Sequence, residues 1–160
     1  MAVNRAISID ALAALSLRDH RDCTYDFSDL ARGPLIIVFV RGHWCPYCRR
    51  YLCKLQHHIP RFREFGARLV VISPEPQDTS AALVAQLRLT IPILADRNGR
   101  AIELFGVRNA FSGTTTLMPH PAVFILTADG ELGFRSIDRN YKQRTSMRTI
   151  LQQLRALIPA

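Results

Sequence analysis

The run "PLIIVFV", Pro34 to Val40, constrains this chain more than any other stretch. It is apolar throughout and rich in β-branched residues, with no polar residue at alternate positions. That pattern suits a strand buried on both faces rather than one lying on a solvated sheet. A strand of this kind requires helices packed on each side of its sheet. A helical pattern begins soon after it, at Pro46, where the apolar residues Cys48, Leu52, Leu55, Ile59 and Phe62 step by three or four. The pattern extends to about Phe65, and Pro60 is expected to kink or divide it.

The remaining segments alternate in the same way. "ARLVVIS" (Ala67 to Ser73) reads as a second buried strand. A helix capped by Asp78 or Thr79 is expected through about Leu87. "IPILAD" (Ile91 to Asp96) reads as a short strand closed by the turn "DRNG", and residues 100–105 as a helical turn. "PAVFILT" and "ELGFRSI" flank "ADG" and read as a β-hairpin. A last helix is expected from about Thr145 to Leu157, with Met147, Ile150, Leu151, Leu154 and Leu157 on its apolar face. The pattern predicts an α/β fold, with a central mixed sheet flanked by helices on both faces. A length of 160 residues suits one domain, taken as 1–160.

Between the first strand and its helix lies "RGHWCPYC". Pro46 suits the first helical position, because the N–H it lacks would be unpaired there. Cys45 then falls at the N-cap, facing unpaired N–H groups and the positive end of the helix dipole, which favour a thiolate. Cys48 lies one turn in, on the face shared with Leu52 and Leu55. Cys45 is therefore expected to be the more exposed and more acidic thiol, with Cys48 shielded yet near enough to close a disulfide with it.

Two other uses of these cysteines compete with redox chemistry. A zinc site needs four ligands, and only one C-x-x-C is present; Cys23, Cys53 or a histidine from His43, His57 and His58 would have to complete it. A buried structural pair is the blander alternative. Among the neighbours, Trp44 is read as shielding the site or packing on a substrate. Arg41 is read as an anion or thiolate partner, and Tyr47 as tuning access. His43 is read as a solvated loop residue, with polarising the thiol as its alternative role; His57 and His58 are read as surface, and Cys23 as a core or edge thiol without a role.

The formal charge is +8, with cations clustered around the cysteines and again near the C-terminus. A solvated surface explains most of it, while nearby cations also stabilise a thiolate. No recognised module accompanies the charge, which argues against nucleic acid as a partner. The longest apolar run is far shorter than the roughly 20 residues of a membrane span, so no membrane partner is expected. At the N-terminus, Asp10 interrupts the apolar stretch and suggests a short amphipathic helix rather than a signal peptide. A cytoplasmic location, where thiols are kept reduced, is the default expectation. No metal or other cofactor is expected.

The strand, "WCPYC" and helix together resemble the thioredoxin superfamily. The wider chain, from about residue 24 to 158, resembles the peroxiredoxin-like proteins of the AhpC/TSA group. The stretches that carry this are "FVRGHWCPYC", "RLVVISPE", "IPILADRNGRAIELFGV", "PAVFILTADGEL" and "DRNYKQR". The resemblance implies a thioredoxin fold and an antioxidant thiol oxidoreductase. It also implies a Cys45/Cys48 dithiol–disulfide couple acting on a peroxide or disulfide substrate. The implied reductant is of thioredoxin or glutathione type, with a homodimer as a candidate assembly.

In the peroxiredoxin pattern P-x-x-x-T-x-x-C, Cys48 falls on the peroxidatic cysteine, Cys45 on the threonine and Arg41 on the proline. The arginine that peroxiredoxins carry just before the strand at Ala122 is replaced by His120 and Pro121. These departures imply slow peroxide reduction and more competent disulfide exchange. A thiol peroxidase proper, with Cys45 or Cys53 resolving, and a non-catalytic redox sensor or binding module remain as alternatives. The thioredoxin likeness further implies a cis His120–Pro121 bond beside the site, with Pro119 trans.

Overall fold

The computed structural model describes residues 7–27, 33–110 and 117–157. Five helices and seven strands alternate along them. α1 is Ile9–Ala13, β1 Ser16–Asp19, β2 Thr24–Asp26, β3 Leu35–Phe39 and α2 Pro46–Glu64. β4 is Arg68–Ser73, α3 Gln77–Leu87, β5 Ile93–Ala95 and α4 Arg100–Leu104. β6 is Ala122–Leu126, β7 Leu132–Ile137 and α5 Met147–Leu157. The strands form one sheet in the order β2-β1-β5-β4-β3-β6-β7. β3 runs parallel to β4, and β4 to β5; β6 is antiparallel to β3, and β7 to β6. This is the mixed sheet with flanking helices that the sequence implies, and it is a thioredoxin fold.

All five residues of β3 are buried, as are all five of β6, because the sheet carries a core on each face. On one side Ile36 and Val38 pack with Leu52, Leu55 and Phe62 of α2 and with Ile150 and Leu154 of α5. On the other, Leu35, Ile37 and Phe39 pack with Leu12 of α1, Ala101 and Ile102 of α4, and Phe124. The alternating side chains of one central strand thus serve both cores, which is why β3 shows no polar alternation.

Three details differ from the sequence expectation. α2 is unbroken, with Pro60 inside it. Pro60 sits on the exposed face, where the carbonyl its ring leaves unpaired can be hydrated instead of stranded in the core. α3 starts earlier than expected: Pro76 is its N-cap, and Asp78 lies within the first turn, its carboxylate accepting the Thr79 N–H at 2.9 Å. The third difference is the β1–β2 hairpin, Ser16–Asp26, which no strand pattern in the sequence announces. Its turn has neither glycine nor proline. The Asp19 carboxylate organises it, accepting the N–H groups of Arg21 (2.8 Å) and Cys23 (3.0 Å), while Asp22 adopts φ 63°, a conformation aspartate tolerates.

Candidate active site

β3 ends at Phe39, and the chain enters α2 at Pro46. Cys45 is the N-cap in an extended conformation (φ −85°, ψ 114°), and Pro46 opens the helix. The Cys45 carbonyl starts the helical ladder by accepting the Arg49 N–H at 3.0 Å. The loop is tight at Gly42, where a Cβ would lie 2.5 Å from Trp44 Nε1 and 3.2 Å from the Glu75 carboxyl carbon. Only glycine leaves the indole room to fold back over the loop.

Both thiols are reduced and buried, Cys45 at 1% and Cys48 at 0% exposure. The expected difference in exposure is therefore absent. Trp44 and Cys45 are neighbours, yet the indole is half exposed and lies over the Arg41 guanidinium, 4.9 Å from centroid to cation. Tyr141 stacks on the same guanidinium at 4.8 Å and meets Tyr47 edge-on at 5.7 Å. Arg41 thus meets two exposed rings, an arrangement that fixes a cation near sulfur.

Two arginines reach the sulfurs. Arg144 Nη2 lies 3.1 Å from Cys48 Sγ and 4.0 Å from Cys45 Sγ. Arg41 Nη1 lies 4.0 Å from Cys45 Sγ, and its backbone N–H donates to Cys48 Sγ at 3.4 Å. Arg144 is held in turn by donating through Nη1 to the carbonyls of Tyr141 and Gln143. Next to it, the Tyr51 hydroxyl donates to the Thr145 carbonyl at 2.6 Å, tying α2 to the segment before α5. Burial pushes the Tyr51 hydroxyl pKa up, against the charge of Arg144, so this donor stays protonated.

The electrostatics separate the two thiols. Burial pushes the Cys45 thiol up, but the Cys48 backbone N–H, the Cys48 thiol and the Arg144 charge outweigh it and hold Cys45 below the ordinary thiol value. Burial also pushes Cys48 up, and there the Arg41 N–H and Arg144 do not overcome it, so it stays above. Cys45 is thus the more easily ionised thiol of the pair and Cys48 the less, the asymmetry that thiol–disulfide exchange uses.

Arg144 is the residue that sequence reading missed as part of the site. It lies in the quoted "DRNYKQR" but 96 positions from Cys48, and only its membership of the second basic cluster hinted at it. His43 is an exposed loop residue, as expected, but it has a partner. Its N–H and Nδ1 both meet the Glu75 carboxylate, at 2.6 and 2.5 Å, and its carbonyl accepts from Arg49 at 3.2 Å.

The His120–Pro121 bond is trans, not cis as the thioredoxin likeness implied. The His120 N–H donates to Val107 at 2.7 Å, the Met118 carbonyl accepts from Asn109, and Arg108 bridges Pro119. This pairing holds residues 118–120 extended up to β6, a course the ordinary trans bond continues. The β3–β6 register pairs Phe39 with Ala122 at the end of the ladder, just before the site loop. Burial, with the charges of Arg139 and Arg41, lowers the His120 pKa.

Cys53 is exposed on the outer face of α2, and Cys23 is exposed at the β1–β2 turn. Neither is brought to the Cys45–Cys48 pair. Among the described residues no group of three or more His, Cys, Asp or Glu side chains is arranged to hold a metal ion. No helix among them is long and apolar enough to cross a membrane.

A dithiol at the N-terminus of a helix that follows the central strand of a thioredoxin fold defines a class of thiol-reactive proteins. The AhpC/TSA family model matches residues 9–135, and the chain belongs to that family. A putative peroxiredoxin of Mycobacterium tuberculosis is 29% identical over 101 residues, 62% of this chain and 64% of that protein. The thiol-disulfide oxidoreductase ResA of Bacillus thuringiensis is 22% identical over 102 residues, 63% of this chain. The match spans 53% of that relative, so the chain accounts for about half its length. Among solved structures, peroxidoxin BcpB of M. tuberculosis aligns with a TM-score of 0.78 and 25% identity, covering 91% of this chain and 94% of that one. The bacterioferritin comigratory protein of Xanthomonas campestris aligns at 0.80 with 18% identity, covering 92% and 94%, a likeness of fold.

Proposed function

We propose that the chain is a dithiol oxidoreductase in which Cys45 and Cys48 cycle between two thiols and one disulfide. The observation that carries this reading is the shared cation: Arg144 Nη2 within 3.1 Å of one sulfur and 4.0 Å of the other. A guanidinium there stabilises whichever sulfur carries the developing negative charge. In disulfide exchange the Cys45 thiolate attacks a substrate disulfide, expels one substrate thiolate and forms a mixed disulfide. Cys48 loses its proton and attacks Cys45 Sγ, expelling the second substrate thiolate and closing the Cys45–Cys48 bond. Two electrons pass from the protein to the substrate.

The short Arg144–Cys48 contact and the Arg41 N–H at 3.4 Å favour a second reading in the same cycle. Here Cys48 attacks a peroxide, the O–O bond breaks, and the alkoxide takes a proton to leave as alcohol. The Cys48 sulfenic acid condenses with the Cys45 thiol, releasing water and giving the same disulfide. A thioredoxin- or glutathione-type thiol then returns two electrons. The family's peroxiredoxin and thiol-disulfide oxidoreductase relatives support both substrate classes, and the reducing cytoplasm suits both.

Rapid-mixing kinetics of the wild type, Cys45→Ser and Cys48→Ser with hydrogen peroxide and with a small disulfide test the proposal. Cys45→Ser is expected to lose disulfide exchange and to keep some peroxide reactivity at Cys48. If both single variants turn over both substrates at wild-type rate, the pair is not the reacting couple.

A further inference from the structure

We propose that the cleft beside the dithiol docks the carboxylate of a small anionic thiol and of its disulfide; this rests on the dithiol reading above. The cleft has a volume of about 290 Å³ and is lined by Tyr47, Arg50, Tyr51, Lys54, Lys142 and Arg144. Four of these six are cations and none is acidic. Among the described residues, none of the four cations forms an ion pair. Asp138 is near enough to Arg144 for their charges to interact, but it does not line the cleft. Like charges gathered without a counter-ion repel one another, and an anion bound among them removes that repulsion.

The walls also fix what kind of anion fits. Tyr47 and Tyr51 supply aromatic surface for an organic body, and Arg50 is held over the Tyr47 ring at 4.9 Å. The volume is at the small end for ligand pockets, enough for a carboxylate-bearing arm rather than a whole large molecule. Arg144 belongs both to this cleft and to the sulfurs, so an anion seated there brings the rest of its molecule to the thiols.

The chemistry balances without another reactant. One ligand thiolate attacks the Cys45–Cys48 disulfide, forming a mixed disulfide and releasing one protein thiolate. A second ligand thiolate attacks the mixed disulfide and leaves as the ligand disulfide. The two protons given up by the ligand thiols end on Cys45 and Cys48, and two electrons enter the protein. The reverse sequence uses the same dock to reduce the ligand disulfide.

The test follows reduction of the oxidised protein through the fluorescence of Trp44, the chain's one tryptophan. Glutathione, with two carboxylates, is compared with neutral β-mercaptoethanol at equal thiolate concentration. The expected results are saturation by glutathione, a rate advantage of roughly tenfold or more over β-mercaptoethanol, and shrinkage of that advantage as sodium chloride is added. In a Lys54→Glu, Lys142→Glu variant the ratio of the two rates is expected to fall towards one. A wild-type ratio near one, or a ratio unchanged in the variant, overturns the dock while leaving the dithiol reading intact. S-methylglutathione, which cannot react, is titrated into the reduced protein as a second arm. Binding that the double variant loses supports the dock even if no Cys45–Cys48 disulfide forms, an outcome that sinks the dithiol reading alone. Absence of binding overturns the dock.

Discussion

At the residue scale the site turns on one guanidinium placed against two sulfurs whose pKa values diverge. The charge of Arg144 lowers both thiols, so replacing it with an uncharged side chain is expected to raise both. In the wild type Cys45, held below the ordinary thiol value, should keep reacting with iodoacetamide as the pH falls to levels where a free thiol has slowed. Cys48, pushed above that value by burial, should need more alkaline solution. In Arg144→Met the Cys45 midpoint is expected to move upward, and the peroxide rate to fall by about 10²- to 10³-fold, the cost typical of one lost preorganised donor. Alkylation followed by mass analysis at a series of pH values reads both midpoints; an unmoved Cys45 midpoint would contradict the assignment. The position of Cys45 at the N-cap was legible from Pro46 alone, since helix geometry links neighbours. Arg144 was not, because a contact made across 96 residues depends on how β7 and the segment after it fold back, which no local spacing encodes.

Long apolar runs were the legible elements, and the elements built by particular side chains were not. β3, β4, β6 and α2 announce themselves by continuous or three-to-four-residue apolar spacing. The β1–β2 hairpin does not, because the Asp19 carboxylate, rather than a glycine, closes its turn. The trans His120–Pro121 bond was likewise hidden, since the pairing of residues 107–109 with 118–120 decides it. Pro60 shows tertiary packing overriding a local rule: α2 buries Leu52, Leu55 and Phe62 on either side of it, and that burial outweighs the ring's disruption. If this is right, Pro60→Ala should restore a helical hydrogen bond and stabilise the protein by roughly 1–3 kcal/mol, within the usual penalty for an internal proline. Urea denaturation checks it. A loss of stability would mean that the ring itself packs usefully or that its rigidity matters more in the unfolded chain.

For the whole molecule, two cores clamp one sheet and leave the dithiol at the end of its central strand. Phe124 belongs to the core opposite α2, with ring centroids 4.9 Å from Phe105 and 5.8 Å from Phe39. Its replacement by alanine is expected to cost about 3–5 kcal/mol in urea unfolding, as for a large buried aromatic. Because it sits across the sheet from the sulfurs, the thiol pH profile of the folded variant should be unchanged. The central claim is that Cys45 and Cys48 are the redox couple and that exposed Cys53 and Cys23 are bystanders. It is tested most directly by treating the reduced protein with one equivalent of hydrogen peroxide, blocking the remaining thiols and mapping the cysteines by mass spectrometry. A Cys45–Cys48 disulfide with Cys23 and Cys53 still free is the result expected. A Cys48–Cys53 disulfide, or sulfenic acid on Cys23 or Cys53 with the pair intact, would contradict the account.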